Sequence, residues 1–184
     1  MIEVEIKIMV DPDNAEKELI NNGFLKDTQV RETDIYFDNA GGDICDNDTA
    51  LRIRAVEYIG SGSSMSYITF KGKRCDDISM TRPEYETYVE HPAEMMKILE
   101  SLGYKPIEPA VVKNRIVYVK GSITACLDKV EGLGDFLELE TITNRDTKNV
   151  ALDRLWEMLE ALGYDRKDTT TVSYLTMLQN RLLK

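Results

Sequence analysis

Histidine is almost missing from this sequence: its one copy, His91, stands directly before Pro92 at the start of a helical pattern. It reads as a loop residue near a helix N-terminus. A Ser-His-Asp or Cys-His triad is excluded unless His91 is its base, and so is any site built from several imidazoles. Cysteine is scarce as well. Cys45, Cys75 and Cys126 are odd in number and widely separated, with no CxxC, so structural or free thiols are expected rather than zinc ligands or a disulfide frame. No apolar run approaches a membrane span, and the N-terminus lacks the basic and apolar segments of a signal peptide. A cytoplasmic protein with no membrane partner is expected. Positive charge is the last shortage: 23 Lys and Arg against 33 Asp and Glu leave a net charge of −10, which sets the surface as a whole against nucleic acid and anionic membranes. Any phosphate-binding role therefore needs a local concentration of basic side chains.

With 42% apolar and 30% charged residues, the chain has enough apolar content to bury a core, and residues 1–184 fit a single globular domain. Helical patterns are few. Asp11-Pro12-Asp13 starts one that runs to about Asn22, Pro92 starts one reaching Leu102, and Thr147 starts one reaching Leu162. Each ends in glycine and an aromatic residue (Gly23-Phe24, Gly103-Tyr104, Gly163-Tyr164), the pattern of a left-handed turn with the aromatic folded back. A last helix, about Val172 to Leu183, carries Val172, Leu175, Leu178 and Leu182 on one stripe. The remainder reads as strands near 2–9, 30–38, 49–58, 65–73, 79–90, 111–120, 122–130 and 135–143. Gly60-Ser61-Gly62-Ser63-Ser64 is a hairpin loop and not a P-loop, because no GK[ST] follows it.

The strands carry an unusual load. In MIEVEIK, Ile2, Val4 and Ile6 alternate with Glu3, Glu5 and Lys7, so one face is apolar and the other charged. The same alternation places Arg52 with Arg54, Lys71 with Lys73, Lys113 with Arg115, Glu138 with Glu140, and Asp34 with Tyr36; it aligns Arg82, Glu84, Glu86, Tyr88 and Glu90, and Asp128 joins from TACLDKV. Three times a glutamate-bearing strand is followed by a helix, a glycine and an aromatic, which suggests a pseudosymmetric sheet directing those glutamates to a shared centre.

For any one strand, a charged face is ordinarily a wet face. The set argues otherwise, because acidic and basic side chains in similar numbers share the alternating positions on strands from the beginning, middle and end of the chain. An antiparallel sheet of about eight strands can close around one small ligand, turning that face inward. Buried carboxylates then need a cation and buried Lys and Arg an anion, and a divalent metal with a polyphosphate satisfies both without histidine.

The ordered set ExExK (Glu3, Glu5, Lys7), TDIYF, LRIR, TFKG, RxExE (Arg82, Glu84, Glu86), KxR (Lys113, Arg115), LDKVEGLGDFLELE and SYLxxL resembles the CYTH superfamily over nearly the whole chain. These triphosphate tunnel metalloenzymes include class IV adenylyl cyclases, thiamine triphosphatases and inorganic triphosphatases. TALRIR and LDKVEGLGDFLELE are most similar to the class IV cyclase-like branch. The resemblance implies an α+β fold: an eight-stranded antiparallel closed β-barrel, the triphosphate tunnel, with helices packed outside. It implies Mg²⁺ or Mn²⁺ as cofactor and ATP, inorganic triphosphate or thiamine triphosphate as partner; a homodimer is left open. By motif match Glu5 and Glu140 are the leading metal ligands, with Glu3, Glu138 and Asp128 beside them. Lys7, Arg52, Arg54, Lys71, Arg82, Lys113 and Arg115 match phosphate-gripping positions, and Glu5, Lys7, Lys71 and Glu140 form the expected catalytic group. Asp34, Glu84 and Glu86 complete the acidic lining, and Tyr174 matches a C-terminal-helix tyrosine near one tunnel mouth, with core packing an equal alternative.

Two reactions share that grip, cyclisation by ribose attack on the α-phosphorus and hydrolysis by water attack on the γ-phosphorus. The segment RETDIYF (Arg31 to Phe37) departs from the histidine-containing HFxxTY-like segment of many bacterial class IV cyclases, so both reactions stay open. A non-catalytic polyphosphate or nucleotide-binding module is the third alternative.

Overall fold

Every residue from Ile2 to Ile8 is buried, on both faces of the first strand, which rules out water as the destination of its charges. The computed structural model describes residues 1–183. In chain order it runs β1 (Ile2–Met9), α1 (Pro12–Asn21), β2 (Leu25–Asn39), α2 (Asp43–Asp46), β3 (Ala50–Tyr58), β4 (Ser64–Lys71), β5 (Arg82–Tyr88), α3 (Pro92–Ser101), β6 (Tyr104–Lys120), β7 (Ile123–Val130), β8 (Gly134–Thr143), α4 (Lys148–Ala161), a 3₁₀ turn (Arg166–Asp168) and α5 (Tyr174–Leu182). The eight strands close into an antiparallel barrel in the order β1-β5-β4-β3-β2-β6-β7-β8. The expected architecture is therefore present.

Closure places β8, β1 and β5 side by side. These are the three glutamate-bearing strands, each followed by a helix, so the repeated unit of the sequence becomes one acidic wall. Glu5 stands opposite Glu140 and Lys7 opposite Glu138 across β1 and β8, and Glu3 opposite Arg82 across β1 and β5. The facing wall is basic. Arg52 and Arg54 on β3, with Lys113 and Arg115 on β6, flank β2, which holds Asp34 opposite Arg54 and Glu32 opposite Lys113.

The outward faces make the core. Ile2, Val4, Ile6 and Ile8 pack with Leu137 and Leu139 of β8 under α1 (Ala15, Leu19) and α4 (Leu152, Leu155, Trp156, Leu159). Each such side chain, fully buried, is worth about 1.5–3 kcal/mol. A smaller cluster sets α3, through Leu99, against Phe37 and Ile53. Helix α5 behaves differently. Its Tyr174 and Leu175 pack on Val111, Val130 and Phe136, and Phe136 shares the inward face of β8 with Glu138 and Glu140, so α5 covers one end of the tunnel.

Helices end as their glycines require: Gly23, Gly103 and Gly163 adopt φ of 81°, 92° and 85°, and Phe24 N–H donates to the Leu19 carbonyl while Tyr164 N–H donates to that of Leu159. His91 occupies the N-cap of α3, and the three cysteines are free, Cys126 buried and the others exposed. Several boundaries differ from the sequence expectation. β2 begins at Leu25 and β6 at Tyr104, the two pairing from Leu25 opposite Val119 to Asn39 opposite Tyr104. Pro106 and Pro109 mask the start of β6. They are tolerated because β6 pairs with β7 only from Lys113 onward, leaving one edge of the earlier stretch without a ladder. β4 ends at Lys71 and β5 is confined to Arg82–Tyr88, leaving Lys73 and Glu90 exposed outside the barrel strands. Helix α5 starts two residues later than expected because the Ser173 hydroxyl caps it, accepting from Thr176 N–H at 3.1 Å.

Candidate active site

The barrel encloses a cavity of about 1020 Å³. Glu3, Glu5, Lys7, Asp34, Arg52, Arg54, Lys71, Arg82, Glu84, Glu86, Lys113, Arg115, Glu138 and Glu140 all line it, so every expected site residue except Asp128 shares one space. Asp128 lies behind that lining, with no exposure. It accepts from Lys113 Nζ at 3.0 Å, from Arg115 Nε and Nη2 at 2.6 Å each, and from the Tyr174 hydroxyl at 3.1 Å. Tyr174 thus belongs to both readings: it is buried core, and its ring lies beneath Lys7 (4.3 Å) and Lys113 (5.3 Å) at the cavity floor.

On the basic wall the charges are matched. Arg54 grips Asp34 through Nε (2.6 Å) and Nη2 (2.8 Å), and Arg52 Nη1 reaches the same carboxylate at 3.3 Å. Glu32, which the sequence reading did not select, sits between Arg54 (3.1 Å) and Lys113 (3.2 Å). Its position two residues before Asp34 was the available signal, since alternation puts both on one face. Burial works to raise Glu32, and Arg54, Lys113 and Arg115 overrule it, bringing the carboxyl down to about 2. Asp34 is likewise held well below the usual range by Arg54 and Arg52 against the effect of burial.

A pH dependence follows. A depressed carboxylate contributes stability above its unfolded-state value, and that stability is lost as pH falls toward the folded-state value. For Glu32 this amounts to about 3 kcal/mol, removed between about pH 4.5 and 2. Thermal melts across that range are expected to fall steeply for the wild type and less steeply for Glu32→Gln; parallel curves would refute the pairing.

The acidic wall is not matched in this way. Lys7 Nζ lies between Glu5 (3.8 Å) and Glu138 (3.5 Å), and Lys71 Nζ bonds Glu3, stands 2.9 Å from Glu84 and 3.9 Å from Glu5. Among the described residues Glu140 has no ion pair, although it faces Glu5 across the ladder. Burial, and behind it Glu3, Glu5 and Glu138, push Glu140 up to about 8 against the opposing pull of Arg115. Glu5 is raised by burial and by Glu138, and Glu3 by burial, in spite of the two lysines. Glu138 goes the other way: Lys113, Arg115 and Lys7 outweigh its burial. Across the cavity, then, a wall short of positive charge faces one rich in guanidinium and ammonium groups.

The profile of the CYTH domain family matches residues 1–174, most of the chain. The chain belongs to the CYTH family. Over 179 residues, 96% of its length and 98% of the relative's, it is 37% identical to MJ0240 of Methanocaldococcus jannaschii, a protein provisionally named an adenylate cyclase. It is 27% identical over 164 residues to the adenylate cyclase CyaB of Aeromonas hydrophila, covering 86% of this chain and 76% of that one. The solved PH1819 protein of Pyrococcus horikoshii superimposes with a TM-score of 0.87 at 32% identity, covering 97% of this chain and 99% of the other.

Within this CYTH barrel, donor chemistry decides which ion could be held. The acidic wall offers carboxylate oxygens only, a hard donor set suited to Mg²⁺ or Mn²⁺ and poorly suited to softer metals. Among the described residues no three acidic, histidine or cysteine side chains converge to cage an ion as they stand. The physical reason is visible: the Lys7 and Lys71 ammonium groups are drawn between the carboxylates. Glu5 and Glu140, raised and facing each other, still fit a divalent cation. No helix is long and apolar enough to cross a membrane among the described residues.

Proposed function

We propose that this CYTH protein is a divalent-metal-dependent enzyme acting on a nucleoside triphosphate, with cyclisation of ATP to cyclic AMP and pyrophosphate as its reaction. The observation that carries the reading is the opposition of an under-compensated acidic wall to a basic wall across one closed cavity. Glu5 and Glu140 would hold Mg²⁺ or Mn²⁺, with Glu3 and Glu138 beside them, and the ion would supply charge neutralisation at the triphosphate. Arg52, Arg54, Lys113 and Arg115 take phosphate oxygens on the opposite wall, where guanidinium groups bind them bidentately. Lys7 and Lys71 sit where the walls meet; an arriving phosphate draws their ammonium groups off the carboxylates. Positioning and electrostatics of this kind carry most of phosphoryl transfer. A cavity of about 1020 Å³ exceeds what three phosphates fill, and Leu51, Ile107, Ile142 and Leu175 give it apolar wall against which a base can lie.

Hydrolysis is the second reading, favoured by the state of RETDIYF. Asp34 is engaged by Arg52 and Arg54 and Glu32 by Arg54 and Lys113, so this segment offers a ribose or base little beyond Tyr36. Incubation of pure protein with ATP, inorganic triphosphate and thiamine triphosphate, each with Mg²⁺ or Mn²⁺, separates the readings. Cyclic AMP with equimolar pyrophosphate is the expected product. Phosphate release without cyclic AMP sinks cyclisation in favour of hydrolysis, and tight binding without turnover under any divalent metal reduces the protein to a binding module.

A further inference from the structure

Asp48, in the turn between α2 and β3, is the one non-glycine residue with a positive φ (56°) among those described. A left-handed conformation at a residue carrying a side chain persists where surrounding contacts hold it. Here Asp48 closes α2, its N–H donating to the Cys45 carbonyl and Thr49 N–H donating to that of Ile44 at 3.1 Å each, and its carboxylate and carbonyl are met by two arginines. The Asp48 carboxylate accepts from Arg74 N–H at 3.2 Å and from Arg74 Nε at 2.9 Å, and the Asp48 carbonyl accepts from Arg82 Nη1 at 3.4 Å. Arg74 also donates through Nη1 to the Thr171 carbonyl at 3.3 Å, tying the turn to the strap that leads into α5. The strap is itself fixed to β1, since Thr170 N–H donates to the Lys7 carbonyl at 2.9 Å.

Arg74 stands on an ordered loop: Asp76 Oδ1 accepts from Ser79 N–H and its hydroxyl at 2.8 Å each, and Met80 N–H donates to the Glu5 carbonyl at 2.9 Å. Arg82 is buried, with 6% of its surface exposed, yet its Nε has no hydrogen-bond partner among the described residues. Among the described residues its one carboxylate neighbour is Asp48 at 3.9 Å, because Glu3, opposite it in the ladder, is taken by Lys71. Both arginines and Asp48 line the cavity. Two guanidinium groups thus share one carboxylate at the rim, and a buried donor is left over.

We propose that Arg74 and Arg82 clamp the phosphate group of the substrate nearest the cavity opening, and that Asp48 is the positioning residue that aims them. The proposal rests on the triphosphate reading above and adds Arg74 to the binding residues. A guanidinium pair is suited to a phosphate carrying several unshared oxygens, since each fork engages two of them.

Titration calorimetry with inorganic triphosphate and with inorganic diphosphate, in buffer containing a chelator, tests it without reference to turnover. Arg74→Gln is expected to weaken triphosphate binding about tenfold and diphosphate binding much less, a difference of about 1.4 kcal/mol. Asp48→Gly suits the local φ and keeps the fold, so its melting temperature holds while triphosphate binding weakens similarly; in turnover its KM rises while kcat moves little. Wild-type triphosphate affinity in either variant overturns the clamp and leaves the proposed function standing. So does an equal loss for both anions, or a weakening in Asp48→Gly accompanied by a lowered melting temperature. Failure of the wild type to bind triphosphate takes both readings down.

Discussion

Replacing Glu140 by glutamine is expected to lower triphosphate turnover by about two to three orders of magnitude while leaving the barrel folded. On the proposed metal assignment, the kinetic loss follows from removing one of the two carboxylates that would hold the ion, where a metal stabilises transition-state charge by several kcal/mol, each 1.36 kcal/mol being tenfold in rate. The fold survives because Glu140 has no ion pair to lose among the described residues, and glutamine keeps its shape. Stability supplies the more discriminating readout. Glu140 titrates near 8 when folded, above its ordinary value of 4.5, so between those limits the folded state binds the extra proton and stability declines as pH rises. Glutamine carries no such penalty. In chelator, Glu140→Gln is expected to melt above the wild type at pH 9, by roughly 2–4 °C for each kcal/mol relieved, with the gap closing toward pH 5. A variant that retains wild-type turnover refutes the metal assignment, and one that melts lower at pH 9 refutes the account of mutual repulsion on the acidic wall.

That wall shows how far residues alone carry the argument. Alternation fixed which side of each strand bears charge, and the burial of Ile2 to Ile8 on both faces answers where that side points. The three echoed units pointed their glutamates to a shared centre, and that β8, β1 and β5 are immediate neighbours is what closure of the barrel adds. Depth along the barrel was not legible. A period of two assigns a face, but it does not say whether a residue reaches the cavity, and Asp128 shares its face with cavity residues while lying behind them. Asp48 and Arg74 were invisible for another reason. Both sit between strands, where no periodicity exists to single them out, and their pairing joins a turn after α2 to a loop before β5. The long starts of β2 and β6 escaped because LKDTQ lacks apolar alternation and because prolines at 106 and 109 argue against a strand unless one edge is known to be free.

Asp128 brings the second large effect, and it separates a scaffold role from a metal-binding one. Lys113, Arg115 and the Tyr174 hydroxyl all converge on its fully buried carboxylate. Removing one partner of a buried ionic cluster leaves the others uncompensated, at about 3–5 kcal/mol. Asp128→Ala is therefore expected to lower the melting temperature in chelator by about 10 °C, at 2–4 °C per kcal/mol for a chain of this size. Tyr174 loses its acceptor at the same time, which loosens the α5 cover packed on Phe136. A metal ligand behaves in the opposite way: its removal leaves the chelated protein untouched or steadier, as argued for Glu140, and lowers only the stabilisation gained on adding Mg²⁺ or Mn²⁺. Melting Asp128→Ala beside Glu140→Gln, with and without divalent metal, thus sorts the acids by role. A chelator melting temperature unchanged in Asp128→Ala would return Asp128 to the metal set. The bases must also respond. With Asp128 gone, Lys113 and Arg115 have lost their strongest counter-charge, so inorganic triphosphate is expected to raise the melting temperature of Asp128→Ala by more than it raises that of the wild type.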